Sequence, residues 1–275
     1  GQNGERVEIT RKRERELLTT LAVHQGTRLS RDLLVARIWD RDDFQAKKAL
    51  NTTLWRLRAA LNEAGTEADH WLDTGSDYMR LRKVRGPWVD VSAFQEAVGQ
   101  PLQANALEPL QHAIELYRGE LAPGLDTEWL QDERRSLQEH YQRLLSQALD
   151  LLMAARRYDD AETYAGRLLR ADPYEEQAWR TMMLVKIETG QRAQAIRTYQ
   201  DMETLLSDDL GIAPSPESQA LYRICREPEP TYRIESVAMS PPHPADLHAR
   251  LVGLQGQLAA VMSALSSITD ELKNQ

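Results

Sequence analysis

The sequence predicts a mainly α-helical fold in three parts: a small helical head closed by a β-hairpin, an α-helical repeat body, and a terminal coiled-coil helix. Three observations predict it. Apolar residues recur at three- and four-residue spacing through most of the first 226 positions. The turn sequence Thr74-Gly75-Ser76-Asp77 interrupts them between two short runs suited to strands. A seam of apolar residues spaced 4, 3, 4, 3, 4, 3, 4 then closes the chain.

Composition narrows the function. The chain has 275 residues, room for two modest domains. It contains no apolar run near the roughly 20 residues needed to cross a bilayer, and no signal-peptide core, so a cytoplasmic location without a membrane is expected. The single cysteine, Cys225, excludes an intramolecular disulfide framework and reads as a small buried hydrophobe. The net charge of −8 is uneven: residues 1–86 hold 17 Lys+Arg against 13 Asp+Glu, a net of +4, leaving 17 against 29, a net of −12, for the rest. A basic N-terminal third on an acidic whole points to one confined polyanion-binding face.

Residues 6–10 alternate and read as a short strand. Leu17, Leu18, Leu21 and Ala22 form one stripe, giving a first helix over about 11–24 that Gly26 ends. Ser30 is placed as the N-cap of a second helix with Leu33, Leu34, Ile38 and Trp39 on its buried face. The run Asp40-Arg41-Asp42-Asp43 leads to a third helix, about 44–62, in which Leu50, Leu54, Leu57 and Leu61 turn one side inward. Residues 70–73 and 78–82 are the hairpin arms. Strand, three helices and hairpin make a winged helix-turn-helix.

The third helix presents Lys47, Lys48, Asn51, Thr52, Trp55, Arg56 and Arg58 on its other sides, and Arg80 and Arg82 extend the basic set into the hairpin. These types suit double-stranded DNA. Arginine forks onto guanine, asparagine onto adenine, threonine meets the thymine methyl and lysine neutralises phosphate. A solvated basic amphipathic helix would show the same spacing, so spacing alone leaves both readings open.

Three stretches, Ile9-Thr10 to Glu14-x-x-Leu17-Leu18, Leu29-Ser30-Arg31-Asp32-x-Leu34 and Ile38-Trp39, resemble the OmpR-like DNA-binding domain of response regulators. So do residues 49–61, with Arg56-Leu57-Arg58, and the wing Gly75-x-x-Tyr78-x-x-Leu81. The resemblance implies that Lys48, Thr52 and Arg56 face the major groove and that Arg58 lies near the DNA backbone. Where that fold often carries a minor-groove arginine directly after the wing tyrosine, this chain has Met79, with Arg80 and Arg82 nearby. Met79 and Trp55, read as groove-facing, keep open a second class of function: a protein-interaction scaffold with a degenerate winged helix.

Ser92-x-x-Gln95 reads as a capping box opening a helical region that runs to about residue 226. A long helix from Glu128 carries Leu137, Tyr141, Leu144, Leu145, Ala148, Leu151 and Leu152 at helical spacing. A shift of 34 residues lays Ala161 on Ala195 and Ala165 on Tyr199, which, with Pro173 as terminator, resembles a tetratricopeptide (TPR) repeat. The sequences 116–125, Glu128-Trp129-Leu130, Asp172-Pro173-Tyr174-x-Glu176 and 210–217 resemble the bacterial transcriptional activation domain. Behind an OmpR-like winged helix, this is the arrangement of the Streptomyces antibiotic regulatory protein (SARP) family. The resemblance implies a transcriptional activator that binds promoter DNA as a dimer and contacts RNA polymerase. The expected division is 1–87 for DNA binding, 88–226 for activation, 227–244 as a proline-rich linker and 245–275 as an oligomerisation helix.

In that last helix Leu247, Leu251, Leu254, Leu258, Val261, Leu265, Ile268 and Leu272 make a heptad seam. Self-association as a homo-oligomer is expected, its order open. Gly253 and Gly256, each costing roughly 1 kcal/mol of helix propensity, leave room for the alternative that the helix folds back on the repeats. The sequence holds no glycine-rich phosphate loop, paired-cysteine motif or His-Glu-x-x-His, and its six histidines are scattered. A non-enzyme without metal or cofactor is expected. A ligand-responsive sensor, its effector held by the repeats or the domain junction, is a further reading, and no residue names the ligand.

Overall fold

The computed structural model describes residues 9–40, 43–63, 67–83, 88–99 and 106–227, all within one compact unit, Gly1–Glu227. The head runs α1 (Lys12–Val23), β1 (Leu29–Ser30), α2 (Arg31–Trp39), α3 (Phe44–Glu63), the short α4 (Ala68–Trp71), β2 (Leu72–Thr74) and β3 (Tyr78–Leu81). Local chemistry sets the boundaries. The Ser30 hydroxyl accepts from the Leu33 N–H at 3.2 Å and starts α2. Asp40, at φ 53°, ends it in the left-handed region. The Asp43 carboxylate accepts from the Ala46 N–H at 2.8 Å where α3 begins. Leu50, Leu54, Leu57 and Leu61 pack against Leu17, Leu21, Leu34, Val35 and Ile38. Each buried leucine contributes roughly 1.5–3 kcal/mol, and together they fix the rotation of α3.

The strands form an antiparallel sheet in the order β1-β3-β2, with Leu29 opposite Met79 and Leu72 opposite Leu81. Three expectations need correction, and one strand had no signal in the sequence. Ile9 and Thr10 carry no strand, and 6–8 lie outside the described residues. The third strand comes from Leu29–Ser30, because the extended backbone of a helix cap lies free to pair with Tyr78. The first hairpin arm starts at Leu72: His70 and Trp71 complete α4, whose Ala68 is fully buried. On α2, Val35 is buried while Leu33 is exposed and Trp39 only partly covered, so the inward face is rotated from the expected one.

The body consists of α5 (Asp90–Gly99), α6 (Leu107–Leu116), α7 (Glu128–Ala154), α8 (Tyr158–Ala171), α9 (Glu176–Glu188), α10 (Arg192–Leu210) and α11 (Pro216–Arg226), each packed on the next. The expected capping box does not form. The helix begins at Asp90, whose carboxylate accepts from the Val91 N–H, and Ser92 already lies inside it, donating to Glu96 at 3.1 Å. The 34-residue correspondence is physical. Ala161, Ala165 and Ala195 are fully buried, and Tyr199 is buried and stacks on Tyr222 at 4.1 Å. Small side chains there let consecutive helices approach as in TPR-like pairs. Ser215 caps α11 with Pro216 at its first position, and Cys225 is buried.

A loop between α6 and α7 is organised by one side chain. The Arg134 guanidinium donates to the carbonyls of Leu121, Ala122 and Leu125 at 2.8–2.9 Å and pairs with Glu120 at 2.7 Å. Head and body share apolar contacts: Val23 of α1 lies in the cluster built by α5–α9, and Val89 touches both cores. Among the described residues no helix is long and apolar enough to cross a membrane. The heptad seam from Leu247 to Leu272 lies outside the described residues.

Candidate nucleic-acid interface

With its leucine stripe turned inward, α3 has three remaining sides, set by about 100° per residue. Outermost are Lys48, Thr52 and Trp55, all exposed, the indole at 69%. The Thr52 hydroxyl donates to the Lys48 carbonyl at 3.2 Å. Towards α1, exposed Arg56 lines a groove of about 430 Å³ together with Thr52, Arg11, Lys12 and Arg13. Towards the hairpin lie Lys47, Asn51 and Arg58, and each of them is held. Lys47 Nζ is 2.9 Å from Asp32, and Asn51 Oδ1 accepts from Arg31 at 2.7 Å. Arg58 donates to Thr74 Oγ1 at 2.9 Å and lies 3.2 Å from Asp69.

In the wing, the two-residue period of β3 turns Met79 and Leu81 inward and Tyr78 and Arg80 outward. Met79 is fully buried, opposite Leu29 and Thr74. The reading of Met79 as groove-facing is therefore corrected: in this strand register it is a core residue. Arg80 hydrogen-bonds the Asp73 carboxylate, and Arg82 lies 3.8 Å from it. The Arg80 hydrogen bond, against the opposing effect of desolvation, holds the Asp73 carboxyl below the usual carboxylate range. At the wing tip a Cβ on Gly75 would come 2.4 Å from the Tyr78 ring, so the turn requires glycine. Arg28 lies over the face of the same ring at 4.6 Å.

The winged helix is tied to the body by polar contacts. Arg15 donates to the Pro123 carbonyl at 2.6 Å, and Lys83 pairs with Glu96 at 2.8 Å. Arg37 lies over the Trp129 ring at 4.9 Å and donates to His24 Nε2 at 2.8 Å. A guanidinium only donates, so His24 must offer a lone pair and be neutral. Burial, followed by the charge of Arg37, lowers the His24 pKa, with Glu133 opposing.

The structure thus brings Lys48, Thr52, Trp55 and Arg56 onto an outward surface, sets Lys47, Asn51 and Arg58 on its wing-facing flank, and pairs Arg80 and Arg82 with Asp73. Sequence reasoning passed over Arg11, Lys12 and Arg13, which line the groove beside Arg56. Three consecutive basic residues were the available signal. It also passed over Arg31, which gave none. Among the described residues no cluster of His, Cys, Asp or Glu is arranged to hold a metal ion.

A winged helix followed by a TPR-like helical body is the build of a class of transcriptional regulators. A model of the C-terminal domain of transcriptional regulatory proteins matches residues 4–75, and one of the bacterial transcriptional activator domain matches residues 89–226. The chain belongs to the bacterial transcriptional activator domain family, in the SARP arrangement of that domain behind a winged helix. Similar proteins include Regulatory protein AfsR of Streptomyces coelicolor, 27% identical over 94% of this chain and 27% of AfsR. Transcriptional regulatory protein MoaR1 of Mycobacterium tuberculosis is 25% identical over 80% of this chain and 73% of MoaR1. The chain thus spans about a quarter of AfsR and most of MoaR1. The structure of Mycobacterium tuberculosis EmbR, solved with a low-affinity phosphopeptide, shares the fold with a TM-score of 0.62. It is 21% identical, over 82% of this chain and 62% of EmbR.

Proposed function

We propose that the chain is a cytoplasmic transcriptional activator, not an enzyme, that binds promoter DNA through α3 and the wing and contacts RNA polymerase. The observation that carries the reading is the outward face of α3. An inner stripe of Leu50, Leu54, Leu57 and Leu61 leaves Lys48, Thr52 and Arg56 exposed beside a basic groove, where side chains of these types can meet base edges and phosphates. Lys47, Arg58, Arg11 and Lys12 are assigned to the phosphate backbone, Asn51 and Trp55 to the groove, and Arg80 and Arg82 to the neighbouring groove. The burial of Met79 supports this over the degenerate-scaffold reading, since a core methionine leaves the outer face of the wing to arginines.

The division into 1–87 for DNA and 88–226 for activation belongs to the proposal, as does oligomerisation through the seam from Leu247 to Leu272. Selection of the full chain against a random duplex library tests it. A recovered consensus arranged as spaced repeats is expected, as is transcription by purified bacterial RNA polymerase that rises with the protein on a template bearing that consensus. Failure to enrich any sequence contradicts DNA recognition; enrichment without a rise in transcription contradicts activation.

A further inference from the structure

Arg31 opens α2 and reaches two other elements. Its backbone N–H donates to the Asp77 carbonyl at 2.9 Å, and its side chain divides. Nε donates to the Gly75 carbonyl at the wing tip at 3.2 Å, and Nη1 to Asn51 Oδ1 on α3 at 2.7 Å. The seat is well defined. Gly75 is confined by the Tyr78 ring, that ring is covered by Arg28, and the adjacent Lys47–Asp32 pair joins the same two helices at 2.9 Å.

A guanidinium carries donors and no acceptor, so this contact orients the Asn51 amide. One of the oxygen's two lone pairs is taken by Arg31, and both N–H groups remain to be given. Asparagine reads adenine by accepting from the N6 amino group while donating to N7. Sharing of the oxygen with Arg31 weakens the first half of that contact and leaves the second intact. Guanine, with acceptors at N7 and O6, and thymine, with O4, ask only for donors.

We propose that Arg31 is a positioning residue that makes Asn51 a hydrogen-bond donor to the duplex, so that Asn51 selects the keto edge of guanine over adenine. The inference rests on the DNA-binding reading above and assigns one step of its specificity.

The test uses the full chain and a duplex selected from a random library, with affinities measured for every single-base variant. At one base-pair position the chain prefers a G·C pair over an A·T pair of either orientation by roughly tenfold. Asn51→Ala abolishes preference at that position alone. Arg31→Ala reduces or inverts it there, adds nothing further in the Asn51→Ala background, and leaves the other positions as they were. Arg31→Lys, which keeps a donor-only side chain beside the amide, retains the keto preference and guards against a folding defect in the alanine variant.

The inference is overturned if the Asn51-dependent position prefers an A·T pair in either orientation, or if Arg31→Ala lowers affinity for every sequence alike. It is overturned alone if a consensus is enriched but no position depends on Asn51. If no sequence is enriched by the unaltered chain, the DNA-binding reading itself fails, and this inference with it.

Discussion

Head and body use their cations differently. In the body the half-buried ones are turned on the protein itself. Arg134 gathers three carbonyls, Arg167 pairs with Glu115 and Lys186 with Glu162, both at 2.5 Å, and Arg192 donates to the Cys225 carbonyl. In the head one flank of α3 is tied to the wing, while Lys48 and Arg56 stand outward on the rest of the helix. The contrast teaches that a basic residue has no fixed meaning by type. Its partners decide whether losing it damages the fold or the binding.

The sharpest way to break that comparison is Arg134→Ala. The side chain is 13% exposed and serves three carbonyls at once. Its loss should lower stability by about 3 kcal/mol, measured by urea unfolding. A variant as stable as the parent would show that the body does not depend on this arginine. Arg56→Ala should do the reverse. DNA affinity should fall by roughly 1–3 kcal/mol with relaxed preference at one base pair, while the unfolding midpoint stays where it was. A drop in stability with unchanged affinity would place Arg56 among the structural cations.

A smaller effect sharpens the junction. His24 has a lowered pKa in the folded chain, so folding favours its neutral form. Its contribution to stability is complete above its ordinary value of 6.5 and is lost as pH falls below that. Thermal unfolding followed from pH 7.5 downward should show the loss, and His24→Gln should flatten the profile below pH 6.5. An unchanged profile would remove His24 from the head–body contact. Smallest of all, Lys83→Ala breaks an exposed pair with Glu96 and should change stability by under about 1 kcal/mol.

The features legible in sequence were those carried by period or by local chemistry. The leucines of α3 and the Ser30 cap are each encoded within a few residues of themselves, and the alanine correspondence in a fixed shift of 34 residues. The features that escaped depend on distant partners. A two-residue strand such as β1 has no period, and its existence depends on β3, nearly 50 positions later. The inward phase of Met79 in a four-residue strand is set by Leu29 and Thr74 across the sheet. Arg31 looked like any helical surface arginine, because Asn51 and Gly75 come beside it only when the wing folds against α3. The outward residues of the candidate interface were legible. Which of them are held, and by what, was not.

Binding of duplex DNA by the outward face of α3 can be measured by fluorescence anisotropy of a labelled selected duplex across a salt series. The chain and its Lys48→Ala and Arg56→Ala variants would be compared. Tight binding at low salt and a steep linear fall of log K with log salt are expected. The slope should be shallower by about one for Lys48→Ala. Binding that ignores salt, or that survives both substitutions unchanged, would contradict DNA binding by that face.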